Sequence, residues 1–134
     1  MIPKFNIIVP TFNSEKYIEK CIDSINEQTF NNWKLTIVDN HSSDDTVKII
    51  KKKIDPKKLE ILFIDNNGII AKSRNLGIKK SQSEWVALLD SDDSWHKDKL
   101  LYCNKVLDEN VDVVYHDVEI LKQGRKNKLI KIGK

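Results

Sequence analysis

Long apolar runs are missing from this 134-residue sequence. No stretch approaches the roughly 20 residues that a membrane-spanning helix needs. The opening, Met1-Ile2-Pro3-Lys4-Phe5, has neither the basic start nor the apolar core of a secretory signal. Cysteine is scarce. Cys21 and Cys103 stand alone, without CxxC or Cys/His spacing, which argues against a zinc site. Both fall at apolar positions of expected helices, and two buried thiols fit a reducing compartment. The expectation is a cytoplasmic location, with work at the cytoplasmic face of a membrane compatible with it. A strong charge bias is also lacking: 23 Lys and Arg against 20 Asp and Glu leave a net +3. That excess is too small to imply a nucleic-acid partner. The short basic clusters Lys51-Lys52-Lys53, Lys57-Lys58 and Lys79-Lys80 read as solvated helix ends and loops. No GxGxxG follows the first apolar run, no GxxxxGK[ST] occurs, and His41, His96 and His116 carry no HExxH spacing. Dinucleotide-fingerprint, P-loop and zinc-hydrolase readings therefore find no support.

What is there is an alternation. Phe5 to Val9 is a short Ile/Val-rich run closed by Pro10, the pattern of a buried strand. Asn13 or Ser14 can cap a helix in which Ile18, Cys21, Ile22 and Ile25 share one face. Trp33 to Val38 is a second strand ending at Asp39, and a helix from about Asp45 to Lys53 stops before Asp55-Pro56. Leu59 to Ile64 gives a third strand, Asn66-Asn67-Gly68 a turn, and Ile69 to Lys80 a third helix weakened by Gly77. Trp85 to Leu89 is a fourth strand. Lys97 to about Glu109 is a helix with Leu100, Cys103 and Leu107 inward, and Val111 to Tyr115 reads as a fifth strand. The alternation from Val118 to Ile132 around Gln123-Gly124 implies a C-terminal β-hairpin. The length fits one domain. The expected fold is α/β: a Rossmann-like layer sandwich, its mostly parallel sheet carrying helices on both faces.

Ligands of such sheets bind outside the carboxyl ends of the strands. That rule selects Pro10 to Asn13, Asp39 to Ser43 and Asp90 to Asp93. The third group is the most informative. Asp90-Ser91-Asp92-Asp93 puts three carboxylates into four residues at a strand end. Crowded carboxylates raise one another's pKa unless a cation lies among them. Mg²⁺ or Mn²⁺ commonly takes one or two protein carboxylates plus substrate phosphates. A cation so placed neutralises charge building on a phosphate leaving group. Acidic triplets also occur as solvated helix caps, and Asp93 or Ser94 could serve that way. The position at a buried strand's ligand edge favours the cation.

Four blocks then resemble one family. Ile7-Ile8-Val9-Pro10-Thr11-Phe12-Asn13 is similar to the first strand and loop of family-2 glycosyltransferases of the GT-A fold. Val38-Asp39-Asn40-His41-Ser42-Ser43-Asp44-Asp45-Thr46 resembles the second block. Asn67-Gly68 with Ala71-Lys72-Ser73-Arg74-Asn75-Leu76-Gly77 resembles the third, and Trp85 to Asp93 the acidic one. In order and correctly spaced, they cover roughly residues 4 to 100.

The resemblance implies a single nucleotide-sugar-binding domain over residues 1–134, a GT-A portion whose acceptor half is absent. It implies inverting transfer of a sugar from a nucleoside diphosphate sugar, with a UDP-sugar as donor and Mn²⁺ or Mg²⁺ as cofactor. Pro10 and Thr11 would line the base, with Asn13 and Glu15 nearby. Asp39 would accept from the uracil imide N–H, and Arg74 would reach the base or diphosphate. Asp90 would touch the ribose or sugar, and Asp92 with Asp93 would hold the metal. Each residue also has a plainer reading: Asp39 as a turn cap, Arg74 as a surface charge, Asn75 and Gly77 as a helix end, Trp85 and Trp95 as packing. Two departures stand out. His41 replaces a usual glycine, so the loop is expected to bend differently, and Lys97 lies near a usual proline. The family's general base lies beyond the acidic motif, and no residue here is assigned to it. The alternative is a non-catalytic nucleotide-sugar-binding module or a structural remnant. Expected partners are the donor, a glycan, lipid or protein acceptor, and either a second copy or a completing chain.

Overall fold

The computed structural model describes residues 1–121 and 128–131. Residues 1–101 form one compact unit, and the chain from Tyr102 onward forms another. The first holds β1 (Phe5–Thr11), α1 (Ile18–Asn26), β2 (Trp33–Asp39), α2 (Thr46–Lys53), β3 (Leu59–Phe63), α3 (Ile70–Lys80) and β4 (Trp85–Leu88). The helix α4 (Lys99–Val106) crosses the boundary. The second unit holds an antiparallel pair, β5 (Val118–Ile120) with β6 (Lys128–Ile130), in the register Val118 opposite Ile130. This is the expected hairpin; its turn at Gln123-Gly124 lies outside the described residues.

The four strands of the first unit pair in the order β3-β2-β1-β4, all parallel. All seven residues of β1 are buried, and six of the seven in β2. Parallel strands need crossovers, and right-handed crossovers fix where the helices go. The steps from β1 to β2 and from β2 to β3 run in one direction across the sheet, which places α1 and α2 together on one face. The step from β3 back to β4 runs the other way, which places α3 on the opposite face. In α1 the residues Ile18, Cys21, Ile22 and Ile25 are wholly buried, as the spacing predicts. Each isoleucine stabilises the fold by about 1.5–3 kcal/mol relative to an exposed one.

Several expectations need correction. Val111 to Tyr115 is not a strand: no ladder partner lies beside it among the described residues, and Val113 and Tyr115 are 75% and 63% exposed. β-branched composition does not make a strand without a neighbour to share its hydrogen bonds. Neither Asn13 nor Ser14 caps α1 with its side chain; the Ser14 carbonyl instead accepts from the amides of Tyr17 and Ile18. Helix α4 is shorter than expected, and Cys103 is half-buried rather than buried. Strand β4, apolar throughout, leaves Val86 and Leu88 39% and 48% exposed, because it forms an edge of the sheet among the described residues.

Gly77 does not end α3, which continues to Lys80. A Cβ built at Gly77 would lie 2.6 Å from Cγ2 of Ile8, the buried centre of β1. The residue is a contact surface where helix meets sheet. Alanine would gain about 1 kcal/mol of helix propensity, yet overpacking a tight core costs typically about 1–3 kcal/mol. The β-branched Ile8 cannot swing its Cγ2 away without moving its whole side chain. Gly77→Ala should therefore lower the unfolding free energy by about 1–2 kcal/mol in a urea titration; equal or greater stability would refute the close-packing account.

Candidate functional site

Strand order reverses at β1, with β2 on one side and β4 on the other. Outside the carboxyl ends of those strands lies a cavity of about 460 Å³. Its wall after β1 is Pro10 to Ser14. Asn40 contributes after β2, Asn66 and Gly68 after β3, and Asp90, Ser91 and Asp92 after β4. Tyr17, Ile70 and Ser73 complete it from the helix sides. The strand-end rule thus brings the three selected segments to one crevice.

The loops after β1 and β2 are joined reciprocally. Backbone amides of Asn13, Ser14 and Glu15 donate to side-chain oxygens of Ser42 (2.9 Å), Thr46 (2.7 Å) and Asp44 (3.1 Å). In return, the amides of Ser43 and Asp45 donate to the side chains of Asn13 (2.8 Å) and Glu15 (3.1 Å). Asn13 adopts φ +46° and His41 φ +52°. The loop therefore keeps the left-handed turn that a glycine would take, with a histidine in it. The His41 ring stacks on Phe63 with centroids 5.9 Å apart, a contact that offsets part of the left-handed penalty. The sequence-based expectation of a different bend is thus corrected as far as the sign of φ goes.

Asp39 is wholly buried beneath this rim. Its Oδ1 accepts from the hydroxyls of Thr11 (2.7 Å) and Ser42 (2.6 Å), and its Oδ2 from the Ser42 amide (2.7 Å). A buried carboxylate is tolerated only when so supplied. Asp39 does not itself line the cavity. It holds Thr11, which does, and fixes the turn that presents Asn40. Glu15 likewise stands outside the cavity lining and acts in the loop seam.

The acidic cluster is divided by its partners. Asp90 Oδ1 accepts from Nη2 of Arg74 at 2.7 Å, with both side chains partly exposed. Arg74, carried by α3, is therefore committed to a carboxylate at the crevice and is not a loose surface charge. The ion pairs of the described residues include Asp90 but neither Asp92 nor Asp93. Both are exposed, and Asp92 lines the cavity while Asp93 lies outside its lining. Burial, then the charges of Asp92 and Asp90, push the Asp93 carboxyl above its ordinary range. Cys21 lies below, its Sγ–H donating to the Asp90 carbonyl at 3.7 Å. Burial, reinforced by Asp93, Asp92 and Asp90, pushes its thiol up to about 12. It stays a neutral donor and is no nucleophile.

Could these residues accept a divalent cation? Among the described residues no three His, Cys, Asp or Glu side chains converge into a ready cage. Two exposed carboxylates that repel each other beside an open crevice nonetheless suit a hard cation that draws its remaining ligands from phosphate and water. The donor set fits.

The family model for "Glycosyl transferase family 2" matches residues 6–130. The chain belongs to that family. Among its relatives, the Bacillus subtilis glycosyltransferase TuaG, whose name links it to teichuronic acid biosynthesis, is 37% identical over 100 residues, covering 73% of this chain and 39% of TuaG. The Staphylococcus aureus poly(ribitol-phosphate) β-N-acetylglucosaminyltransferase TarS is 34% identical over 122 residues, covering 89% of this chain and 21% of TarS. The crystal structure of TarS residues 1–349 in complex with UDP-GlcNAc superposes with a TM-score of 0.72 at 35% identity, over 76% of this chain and 30% of that one. A mannosyltransferase from Pyrobaculum calidifontis, solved with GDP-Man and Mn²⁺, gives 0.72 at 26% identity, over 91% and 36%. The chain thus spans well under half the length of each of these proteins. The GT-A layer sandwich expected from the sequence is the fold observed.

Sequence reasoning did not select Tyr17, Asn66 or Ser73 as lining residues. Asn66 was within reach, since it lies in the loop after β3, at the same edge of the sheet. It also organises the turn, its side chain bonding the Gly68 amide (2.9 Å) and Ser73 Oγ (2.9 Å). Tyr17 and Ser73 enter from helices, and no strand-end rule points to them.

The raised Asp93 carboxyl has a sign that can be checked. At pH 7 the ionised form opposes the fold, and protonation relieves it as pH falls through the raised pKa. Asp93→Asn should raise the melting temperature at pH 7 without added cation. The gain should be small, about 1–2 °C, because solvent screens this exposed position. It should shrink as both proteins are acidified toward the ordinary carboxylate range. An unchanged or lower melting temperature at pH 7 would contradict the repulsion.

Proposed function

We propose that this chain binds a nucleoside diphosphate sugar in the crevice outside β1 and β4, with a divalent cation, and supplies the donor half of an inverting glycosyl transfer. The observation that carries this reading is the division of the acidic cluster. Asp90 already has its counter-charge in Arg74 at 2.7 Å, whereas among the described residues neither Asp92 nor Asp93 has an ion-pair partner. Mn²⁺ or Mg²⁺ held by Asp92 and Asp93 would bring positive charge to a diphosphate in the cavity and favour its departure. The named relatives add support: TarS has been crystallised with UDP-GlcNAc, and the Pyrobaculum enzyme with GDP-Man and Mn²⁺.

The chain's own residues would orient the donor. Pro10, Thr11 and Asn13 form the wall on which a base would lie, with the Phe12 ring, 58% exposed, offering it an apolar face. A UDP-sugar is the donor we assign, in keeping with the TarS complex; Asp39, wholly buried and outside the cavity lining, would act on its base through the Thr11 wall that it holds. Asp90, fixed by Arg74, stands where a ribose or sugar hydroxyl could donate to it. A glycan, lipid or protein hydroxyl would be the acceptor, and no residue of this chain is assigned as its base. Holding the donor is therefore the firmer part of the reading, and transfer requires a base beyond these assignments.

Calorimetric titration of the chain with UDP should show binding that strengthens when Mn²⁺ is present. Asp92→Ala should keep the metal-free affinity and lose most of the gain from Mn²⁺, about tenfold or more. Absence of UDP binding in both conditions would overturn the donor-site reading. An Asp92→Ala protein with the full gain would overturn the metal assignment. A coupled assay for UDP release from a UDP-sugar then separates a hydrolysing or transferring domain from one that only binds.

A further inference from the structure

The acidic residues sit on an arch whose two feet are fastened to α1 and to the short segments on either side of it. At the upstream foot, Ser14 Oγ and Ser91 Oγ share a hydrogen bond of 2.8 Å, and Cys21 Sγ–H reaches the Asp90 carbonyl. At the downstream foot, the Trp95 amide donates to Ser24 Oγ at 3.1 Å. Gln28 Nε2 donates to the His96 carbonyl at 2.8 Å, and Gln28 Oε1 accepts from the Leu100 amide at 3.0 Å. The Thr29 amide donates to the Lys97 carbonyl at 2.9 Å, and its hydroxyl to Asp98 Oδ1 at 2.7 Å. Between the feet, Asp92, Asp93 and Ser94 are exposed, and the Asp93 amide donates to the Asp90 carbonyl at 3.1 Å.

Cys21 and Ser24 lie on α1, Ser14 in the segment before it and Gln28 two residues past its last residue. All four are buried, Ser24 to 6% and Gln28 to 2% exposure. Polar side chains in that setting are retained only when satisfied. Here they are satisfied largely by the segment that carries the acids. Ser24 Oγ also donates to the Cys21 carbonyl at 2.7 Å, and Gln28 Nε2 to the Ser24 carbonyl at 3.0 Å. Those bonds tie Ser24, within α1, and Gln28, two residues past its last residue Asn26, to the helix backbone, so the end of α1 fixes where the downstream foot lands. A metal ligand is only as well placed as the groups that orient it.

We propose that Ser24 and Gln28 are positioning residues for the cation site: by fixing the backbone of Trp95, His96 and Leu100, they hold the arch at the height at which Asp92 and Asp93 meet a diphosphate-bound cation. This rests on the donor-and-cation reading above and adds to it residues that touch neither ligand. A merely structural role would lower stability and leave the ratio of UDP affinities with and without Mn²⁺ unchanged. A positioning role changes that ratio.

The test is calorimetry of UDP with and without Mn²⁺ on the full chain, its Gln28→Leu variant and its Ser24→Ala variant, with circular dichroism confirming the fold of each. In both variants the gain from Mn²⁺ should drop by about tenfold, the low end of the effect of removing a group that orients a metal ligand. Metal-free UDP affinity should change by less than about twofold, since the base wall lies on another loop. Ser24→Thr, which keeps the hydroxyl, should restore most of the gain in Ser24→Ala. Should Gln28→Leu fail to fold, the Ser24 pair decides. Folded variants that keep the wild-type gain would overturn the positioning role and leave the donor site standing. A wild-type chain that binds UDP with no gain from Mn²⁺ would overturn the cation reading and this inference with it.

Discussion

Parallel pairing of β1 on both of its edges is the constraint from which the rest of the unit follows. A strand hydrogen-bonded to parallel neighbours on each side sends three carboxyl ends to one edge of the sheet. The return crossovers must then depart on opposite faces. The gap they leave outside β1 and β4 is a consequence of connectivity, and it exists before any particular side chain lines it. β1 meets this demand by being buried along its whole length, with Phe5, Ile7 and Val9 on one face and Asn6 and Ile8 on the other. On the second of those faces, Gly77 lets α3 lie against Ile8. The same helix carries Arg74, so its close seating bears on where the guanidinium meets Asp90.

Two kinds of support surround the crevice. On the side of β1 and β2, polar loops support one another through amide-to-side-chain bonds, with a buried carboxylate, Asp39, as their floor. On the acidic side, α1 and the residues just past its end hold the course of a loop. The difference fits the chemistry proposed for each. A base is a neutral flat body that needs shape and a few directed bonds. A diphosphate brings negative charge, and the groups that face it must be held at fixed distance although they repel one another. Asp90 with Arg74 shows one solution to that repulsion within the protein; a cation held by Asp92 and Asp93, as proposed, would be the other.

The sheet, the helices on it and the ligand edge were legible from period and punctuation, because apolar runs such as Ile7-Ile8-Val9 and helical faces such as Ile18-Cys21-Ile22-Ile25 report burial directly. Asp39 and Asp92 could be placed at the ligand edge because each falls at or just beyond the carboxyl end of a strand that its apolar run announces. What could not be read was anything set by contact between distant segments. Gly77 looks like a weak helix residue until Ile8 is seen against it. Gln28 looks like a surface glutamine until Leu100 and His96 close over it. Val111 to Tyr115 has strand composition and no strand to pair with among the described residues. The motifs that carried the resemblance compress some of this long-range information, which is why four short blocks located the crevice better than periodicity alone.

The seam between the first two loops has a further implication. Amides 13, 14 and 15 on one side and 43 and 45 on the other each find a side chain across the join. Such a seam behaves like a zip with a fixed number of teeth. Exchanging one side chain removes one tooth, but inserting or deleting a residue in either loop would throw every later tooth out of step. Variety along this wall must therefore arise by replacement of side chains at constant loop length, and changes in length must find room elsewhere on the molecule.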